Sequence, residues 1–128
     1  MDRDEREALA LQYKHGGNNC CQAVTAALAD LTDLAPKRLS DISSGFGAGM
    51  GNMEGTCGAL VGAVLVAGLY TQGNGSMRVA RQISEQFSQE CGATICKVIK
   101  GLENGKPLCS CDECVKNAVK AFCQVLGI

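Results

Sequence analysis

The residues that decide the fold are 55–69, GTCGALVGAVLVAGL, an almost wholly apolar segment headed by a cysteine and spaced by glycines. Thr56 is a favourable N-cap, so the pattern predicts a buried helix with Cys57 in its first turn. Gly58 and Gly62 lie four residues apart and therefore share one helical face. Because each glycine inside a helix costs about 1 kcal/mol relative to alanine, we expect another chain segment to pack closely against this face.

Capping residues and apolar spacing predict further helices on both sides of this segment. No alternating pattern typical of a β-strand appears. We therefore expect an all-α fold, residues 1–128 forming a single compact domain of about six or seven helices around the glycine-spaced central helix. The other helices are predicted to begin at or just after Asp2, Asn19, Pro36, Ser76, Thr94 and Ser110.

Apolar spacing also predicts which helical faces are buried. In the first helix this spacing predicts that Ala8, Leu11 and Tyr13 face inward. In the helix after Ser76, apolar spacing predicts a buried face made of Ala80, Ile83 and Phe87.

Composition and charge exclude several classes of function. The chain has 128 residues, is 46% hydrophobic and carries a formal net charge of −1, so we expect no strong field for nucleic acid. Its charged start lacks the apolar region of a secretory signal. The longest apolar run, residues 59–70, is shorter than the roughly 20 residues that span a bilayer. We expect a soluble, cytoplasmic protein that does not insert into a membrane.

Nine cysteines in such a chain are the informative feature. The chain has one histidine and no tryptophan, so it offers few residues for a histidine-based catalytic centre. The odd count leaves at least one cysteine outside any intramolecular disulfide, and a reducing compartment argues against a disulfide scaffold. The chemistry of this protein is therefore expected to be sulfur chemistry.

Four of the cysteines share one local setting, because each follows a capping residue at a predicted helix start. A helix N-terminus favours the thiolate and lowers the pKa of a cysteine there. If these four ends converge, they provide the thiolates that a Zn²⁺ site or an iron–sulfur cluster requires. The alternative is that they are small buried residues that only pack. The four are Cys20 after Asn19, Cys57 after Thr56, Cys96 two residues after Thr94, and Cys111 after Ser110.

Residues 45–51, GFGAGMG, form a glycine-rich loop just before this central segment. Their spacing is not the G-x-G-x-x-G of dinucleotide-binding proteins, and no strand pattern precedes them. We expect the loop to bring backbone close to a buried group and to donate N–H groups to sulfur.

Local cysteine spacings leave the kind of site open. Cys111 and Cys114 form a C-x-x-C, but Val115 follows where covalent haem attachment needs histidine. No second C-x-x-C lies at zinc-ribbon spacing, and Cys91 and Cys96 lack the further cysteines of plant-type ferredoxins. Spacing alone does not choose between metal binding, thiol redox chemistry and packing.

The run CGALVG at residues 57–62, with Asn19, Cys20 and Gln22-Ala23-Val24 upstream, resembles the C_GCAxxG_C_C family of small redox-active proteins. The resemblance covers nearly the whole chain, including the glycine loop and residues 87–96. It places the four hallmark cysteines of the family at Cys20, Cys57, Cys96 and Cys111. It implies a redox role without an established reaction.

The resemblance also implies a cofactor and a kind of partner. A similar domain in split-Soret cytochrome c is associated with an iron–sulfur cluster beside separately attached haems, which favours a cluster over zinc as the ligand of the four cysteines. Family genes often lie near transporter genes, so a redox or transport-associated protein is the expected partner. The central helix is also a candidate homodimer contact, although core burial is its expected use.

Five further cysteines depart from the family pattern. Cys109 and Cys114 flank Cys111 closely enough to replace it as the fourth ligand. Cys123 lies deep in the last helix and is expected to pack. The five are Cys21, Cys91, Cys109, Cys114 and Cys123.

Three hypotheses follow for the function. The first is an electron-transfer module whose four helix-start cysteines hold an iron–sulfur cluster. The second is a metal-free thiol oxidoreductase in which Cys20 and Cys57 cycle between dithiol and disulfide. The third is a structural zinc site. No pair of residues supplies a recognisable acid and base, so no catalytic residue is assigned and enzyme activity is left open.

Overall fold

Seven α-helices and no β-strand make up the protein, whose computed structural model describes all residues 1–128. Helical residues account for 71% of the chain, which confirms the predicted all-α fold. No helix combines the length and the apolar character needed to cross a membrane. The helices are α1 (Arg3–His15), α2 (Cys20–Ala27), α3 (Pro36–Ser43), α4 (Gly58–Tyr70), α5 (Ser76–Cys91), α6 (Cys96–Ile99) and α7 (Cys111–Leu126).

Helix α4 is the glycine-spaced segment, and it lies at the centre of the fold against α2, α5 and α7. A Cβ atom placed on Gly62 would lie 2.9 Å from the backbone oxygen of Cys21 and 3.2 Å from Cβ of Val24. The predicted close approach of another segment is therefore confirmed, and the segment is α2. Gly68, six residues further on, faces open space.

Two of the predicted helix caps are displaced, for one shared reason. Cys57 itself occupies the N-cap position of α4, and Ile95 that of α6, without a side-chain cap in either case. Thr56 and Ile95 form an isolated antiparallel bridge, in which Cys57 N donates to Thr94 O at 2.7 Å and Cys96 N donates to Gly55 O at 2.9 Å. Because this pairing satisfies the backbone N–H groups of Cys57 and Cys96, neither Thr56 nor Thr94 serves as a cap.

The caps at the two other cysteine-bearing helices are confirmed. The Asn19 side chain accepts a hydrogen bond from the backbone N–H of Gln22 at 2.9 Å, and the Gln22 side chain accepts one from the backbone N–H of Asn19. These two bonds form a complete capping box at the start of α2. Ser110 accepts from Glu113 N at 3.1 Å at the start of α7. Ser76 is the first helical residue of α5, with Gly75 in the cap position.

The buried faces of α1 and α5 differ partly from the prediction. In α1, Ala8 and Tyr13 are exposed and Leu11 is half-buried. Arg6 and Ala10 face the core instead. Arg6 is tolerated there because Asp30 neutralises its charge through two hydrogen bonds, at 2.6 and 3.0 Å.

In α5, Ile83 and Phe87 are buried as predicted, but Val79 takes the place assigned to Ala80. Helix α5 packs against both α4 and α7, so its inward face is centred between the two neighbours. Cys91 continues this face at the last residue of the helix.

Candidate metal centre

A small cavity of about 20 Å³ lies where the first residues of α2, α6 and α7 meet the N-cap of α4. A cavity of this size has room for a single ion or water molecule. Its lining is apolar apart from cysteine sulfurs and one lysine. The lining residues are Cys20, Cys57, Cys96, Cys109, Cys111 and Cys114, with Ala48, Ile99 and Lys100.

The structure brings the four helix-start cysteines to this one cavity. Cys20, Cys96 and Cys111 are the first residues of their helices, and Cys57 immediately precedes α4. The backbone bridge described above ties the segment that carries Cys57 to the segment that carries Cys96, whereas Cys20 and Cys111 depend on the capped starts of α2 and α7. The two residues considered as replacements for Cys111, namely Cys109 and Cys114, line the same cavity.

Glycines make the close approach of these cysteines possible. A Cβ on Gly58 would lie 2.6 Å from Sγ of Cys20, so only glycine leaves room for that sulfur against the start of α4. Gly49, in the glycine loop, has a φ of +58°, and a Cβ there would overlap Cβ of Cys96. The predicted close approach of the loop to a buried group is therefore confirmed.

The loop reaches the site through a run of left-handed backbone. Ala48, Gly49, Met50 and Gly51 have φ values of 52°, 58°, 67° and 78°. Left-handed backbone is costly for alanine and methionine, at about 1 kcal/mol or more each, and such strain is concentrated at functional sites. The backbone N–H of Ala48 acts to lower the pKa of Cys20.

The sulfurs of the cavity differ in acidity, and Cys57 follows the prediction of a lowered pKa. The neighbouring thiol of Cys114 lowers the pKa of Cys57 to about 7, helped by the N–H groups of Ala59 and Leu60. Burial raises the pKa of Cys20, and burial also raises that of Cys96. The expectation of lowered pKa values at these two positions is wrong, because desolvation and neighbouring sulfurs outweigh the helix N-terminus.

Lys100 is the only charged side chain at the cavity. Its ammonium acts to lower the pKa of Cys96, against the larger effect of burial. A positive charge at this position partly balances any set of thiolates that forms in the cavity.

Behind the cavity lies a second group of sulfurs, which adds Cys91 to Cys109 and Cys114. The three Sγ atoms lie within 4.8 Å of one another, so this group of cysteines is suited to hold a metal ion. Sγ of Cys109 is 3.3 Å from Sγ of Cys91. The thiol of Cys114 lowers the pKa of Cys91 to about 6, with further hydrogen bonds from Asn117 and Cys109, whereas burial raises the pKa of Cys109 to about 11.

Cys91 was not among the candidate ligands chosen from the sequence. The signal that identifies it is helical periodicity, since Cys91 follows Ile83 and Phe87 at intervals of four residues on the inward face of α5. The two cysteines away from the sulfur groups, Cys21 and Cys123, are fully buried, and burial raises the pKa of Cys21 to about 12. All nine cysteines are free thiols.

Fold and site together define a cysteine-rich helical protein in which helix starts converge on a group of thiols. Residues 18–125 match the family described as "Putative redox-active protein (C_GCAxxG_C_C)". The chain therefore belongs to the C_GCAxxG_C_C family, as its motifs indicated. No curated protein and no solved structure matches the chain.

Proposed function

We propose that this protein is a redox protein that holds an iron–sulfur cluster at Cys20, Cys57, Cys96 and Cys111. The observation that carries the proposal is the convergence of these four helix-start cysteines, from four separate segments of the chain, on one cavity. Soft thiolate donors of this kind select Zn²⁺, Cu⁺ and iron–sulfur clusters over hard cations.

One consideration favours a cluster over zinc. A structural zinc site has no redox chemistry, whereas the family is described as redox-active. As it stands the cavity fits one ion, so a cluster of several irons requires thiols to rotate outward, which the half-buried Cys20, Cys109 and Cys111 allow.

The residues around the cavity serve such a centre in distinct ways. A cluster bound there supplies one-electron transfer. The backbone N–H of Ala48 acts to lower the pKa of Cys20, and Lys100 offsets negative charge beside Cys96. Hydrogen bonds to sulfur and neighbouring charges are the means by which a protein sets the potential of such a centre. Apolar Ile99 excludes water.

The proposal is tested on protein purified without oxygen, by visible absorption and by assay of iron, acid-labile sulfide and zinc on the same sample. We expect iron and sulfide in matching amounts in the wild type and their loss in Cys57→Ser. Cys123→Ser, another buried cysteine away from the cavity, is the matched control and should retain both. Circular dichroism verifies that each variant is folded.

Two results would overturn the proposal. One is full iron retention in Cys57→Ser. The other is colourless wild-type protein after anaerobic reconstitution, containing zinc or no metal.

Thiol–disulfide exchange is the second candidate, and one contact favours it. The sequence suggested Cys20 and Cys57 for this role, but the raised pKa of Cys20 makes it a poor nucleophile near neutral pH. Cys91 and Cys109 offer a thiol of lowered pKa with a second sulfur 3.3 Å away. In such an exchange the Cys91 thiolate attacks a substrate disulfide, and Cys109 then displaces the substrate thiol, leaving an intramolecular disulfide and a reduced substrate.

This candidate is tested by treating metal-free protein with oxidised glutathione. A Cys91–Cys109 disulfide found by peptide mass spectrometry, absent in Cys109→Ser, would support it. A stable mixed disulfide with glutathione at Cys91 in the wild type would count against it, because the resolving step would then be missing.

A further inference from the structure

Three cysteines outside the proposed ligand set form a compact group of their own. Cys91 ends α5, Cys109 lies in the segment before α7, and Cys114 lies in the first turn of α7. Their sulfurs are mutually within 4.8 Å. Cys91 and Cys114 are buried and Cys109 is half-buried, so the group is held between two packed helices.

A fourth side chain is directed at these sulfurs. Asn117, one turn after Cys114 on α7, places Nδ2 at 3.2 Å from Sγ of Cys91 and at 3.8 Å from Sγ of Cys109. An amide that donates to two sulfurs orients them and stabilises their negative charge, as residues around metal ligands do. Packing alone does not require a donor at this position.

The three sulfurs lie close enough together to reach one shared metal ion. With metal–sulfur bonds of about 2.3 Å, the sulfurs of one site lie about 3.8 Å apart in a tetrahedron and about 4.0 Å apart in a trigonal plane. No further cysteine, histidine or carboxylate lies within the same distance of all three sulfurs. Structural zinc takes four ligands, whereas Cu⁺, a soft d¹⁰ cation, is satisfied by two or three thiolates.

We propose that Cys91, Cys109 and Cys114 form a second metal site, a three-thiolate position for Cu⁺ that adjoins the first cavity. The proposed first site uses Cys20, Cys57, Cys96 and Cys111, so the two sites divide seven cysteines between them and share none. Cys109 and Cys114, which line the first cavity as well, form the wall between the two positions.

The experiment removes each site in turn in the full-length, reduced, metal-free protein under anaerobic conditions. Cu⁺ is titrated against a chromophoric Cu⁺ chelator. The background is the Cys20→Ser/Cys96→Ser variant, which removes two ligands of the first site and none of the second. We expect it to bind one equivalent of Cu⁺, and we expect Cys91→Ser added to this background, which leaves only two thiolates at the second site, to weaken that binding more than Asn117→Leu does.

Two further variants separate ligation from folding. Asn117→Leu in the same background should weaken Cu⁺ binding about ten- to a hundredfold without changing its stoichiometry. Cys123→Ser in that background should bind Cu⁺ unchanged. Should Cys91→Ser fail to fold, alkylation of the Cys20→Ser/Cys96→Ser protein decides, because one equivalent of Cu⁺ should protect the half-buried Cys109.

Three results would overturn the second site. These are Cu⁺ binding that is equal with and without Cys91→Ser, alkylation of Cys109 unaffected by Cu⁺, and displacement of Cu⁺ by an equivalent of Zn²⁺. Loss of iron from Cys57→Ser tests the first site alone, so either proposal can fail while the other stands.

Discussion

At the scale of single residues, the glycines of α4 separate into those that make room and one that does not. A Cβ on Gly58 would lie 2.6 Å from Sγ of Cys20 and 2.7 Å from the backbone oxygen of Phe46. Gly68, in the same helix, has no neighbour within 4 Å. The two positions therefore form a matched pair with the same chemistry and opposite surroundings.

We expect Gly58→Ala to destabilise the protein by about 1–3 kcal/mol, because the added methyl group must displace a sulfur or backbone. The displaced Cys20 should also weaken metal binding. Gly68→Ala should instead stabilise by about 0.5–1 kcal/mol, since alanine is the better helix former. Urea unfolding and iron content measure both effects, and unchanged iron content in Gly58→Ala would contradict the assigned position of Cys20.

A second residue-scale prediction concerns the buried Arg6, which is 4% exposed and bonds to Asp30. The Arg6 guanidinium lowers the pKa of Asp30. A carboxyl whose pKa is lower in the folded state stabilises the fold above about pH 4 and loses that contribution as the pH falls through its folded pKa. Stability measured against pH should therefore decline in this acid range.

Asp30→Asn should remove this part of the pH dependence and lower stability at neutral pH by about 1–2 kcal/mol, a value reduced because Asp30 is half exposed. Asp41→Asn is the control, because Asp41 forms an exposed ion pair with Lys37. It should change stability by no more than about 0.5 kcal/mol. Equal losses in the two variants would show that burial of Arg6 is irrelevant.

At the scale of elements, the cap of α2 connects the fold to the site. Asn19 caps the helix that begins with Cys20, and its Nδ2 also donates to Ser44 O at 3.0 Å, which ties α2 to the chain leading into the glycine loop. One side chain therefore positions both a candidate ligand and the backbone beside it.

We expect Asn19→Ala to cost about 1 kcal/mol of stability and to weaken metal binding. Asn19→Asp keeps the cap but loses the donor to Ser44, so it should retain most of the stability and show only the loss in metal binding. Thermal unfolding and metal competition separate the two effects. Asn18→Ala, at a neighbouring asparagine that does not cap α2, should leave the metal affinity unchanged, and an effect as large as that of Asn19→Ala would contradict this assignment.

The helix starts also show which features could be predicted from the sequence and which could not. Side-chain caps at Asn19 and Ser110 are local and were predictable. The starts of α4 and α6 are set by pairing between residues 56 and 95, which are far apart in sequence, so Thr56 and Thr94 were misassigned as caps. The inward turn of Arg6 likewise depends on Asp30 from another segment.

At the scale of the whole molecule, the candidate centre joins four separate segments of the chain. A metal that binds only the folded state stabilises it by about 4 kcal/mol at 1,000 times its Kd. We expect removal of metal to lower the thermal midpoint of the wild type and to have little effect on Cys57→Ser. An equal shift in both proteins would place the stabilising ion elsewhere.

Metal affinity should also depend steeply on pH. Burial raises the pKa values of Cys20 and Cys96, so both are protonated thiols near neutral pH and a metal must displace their protons. Each proton released weakens binding about tenfold per unit of falling pH, so these two alone give about a hundredfold. Chelator competition between about pH 6 and 8 measures the slope, and a flat profile would contradict protonated ligands.

The sequence by itself determined the all-α fold, the central position of α4, the close approach allowed by Gly62 and the helix-start setting of four cysteines. These follow from local propensity and periodicity, which each segment carries in its own residues. Only the tertiary structure decided that the four helix starts meet at one cavity, that burial opposes ionisation of Cys20 and Cys96, and that Cys91 joins Cys109 and Cys114. Convergence, desolvation and sulfur–sulfur contact depend on residues that are distant in sequence, and no local pattern records them.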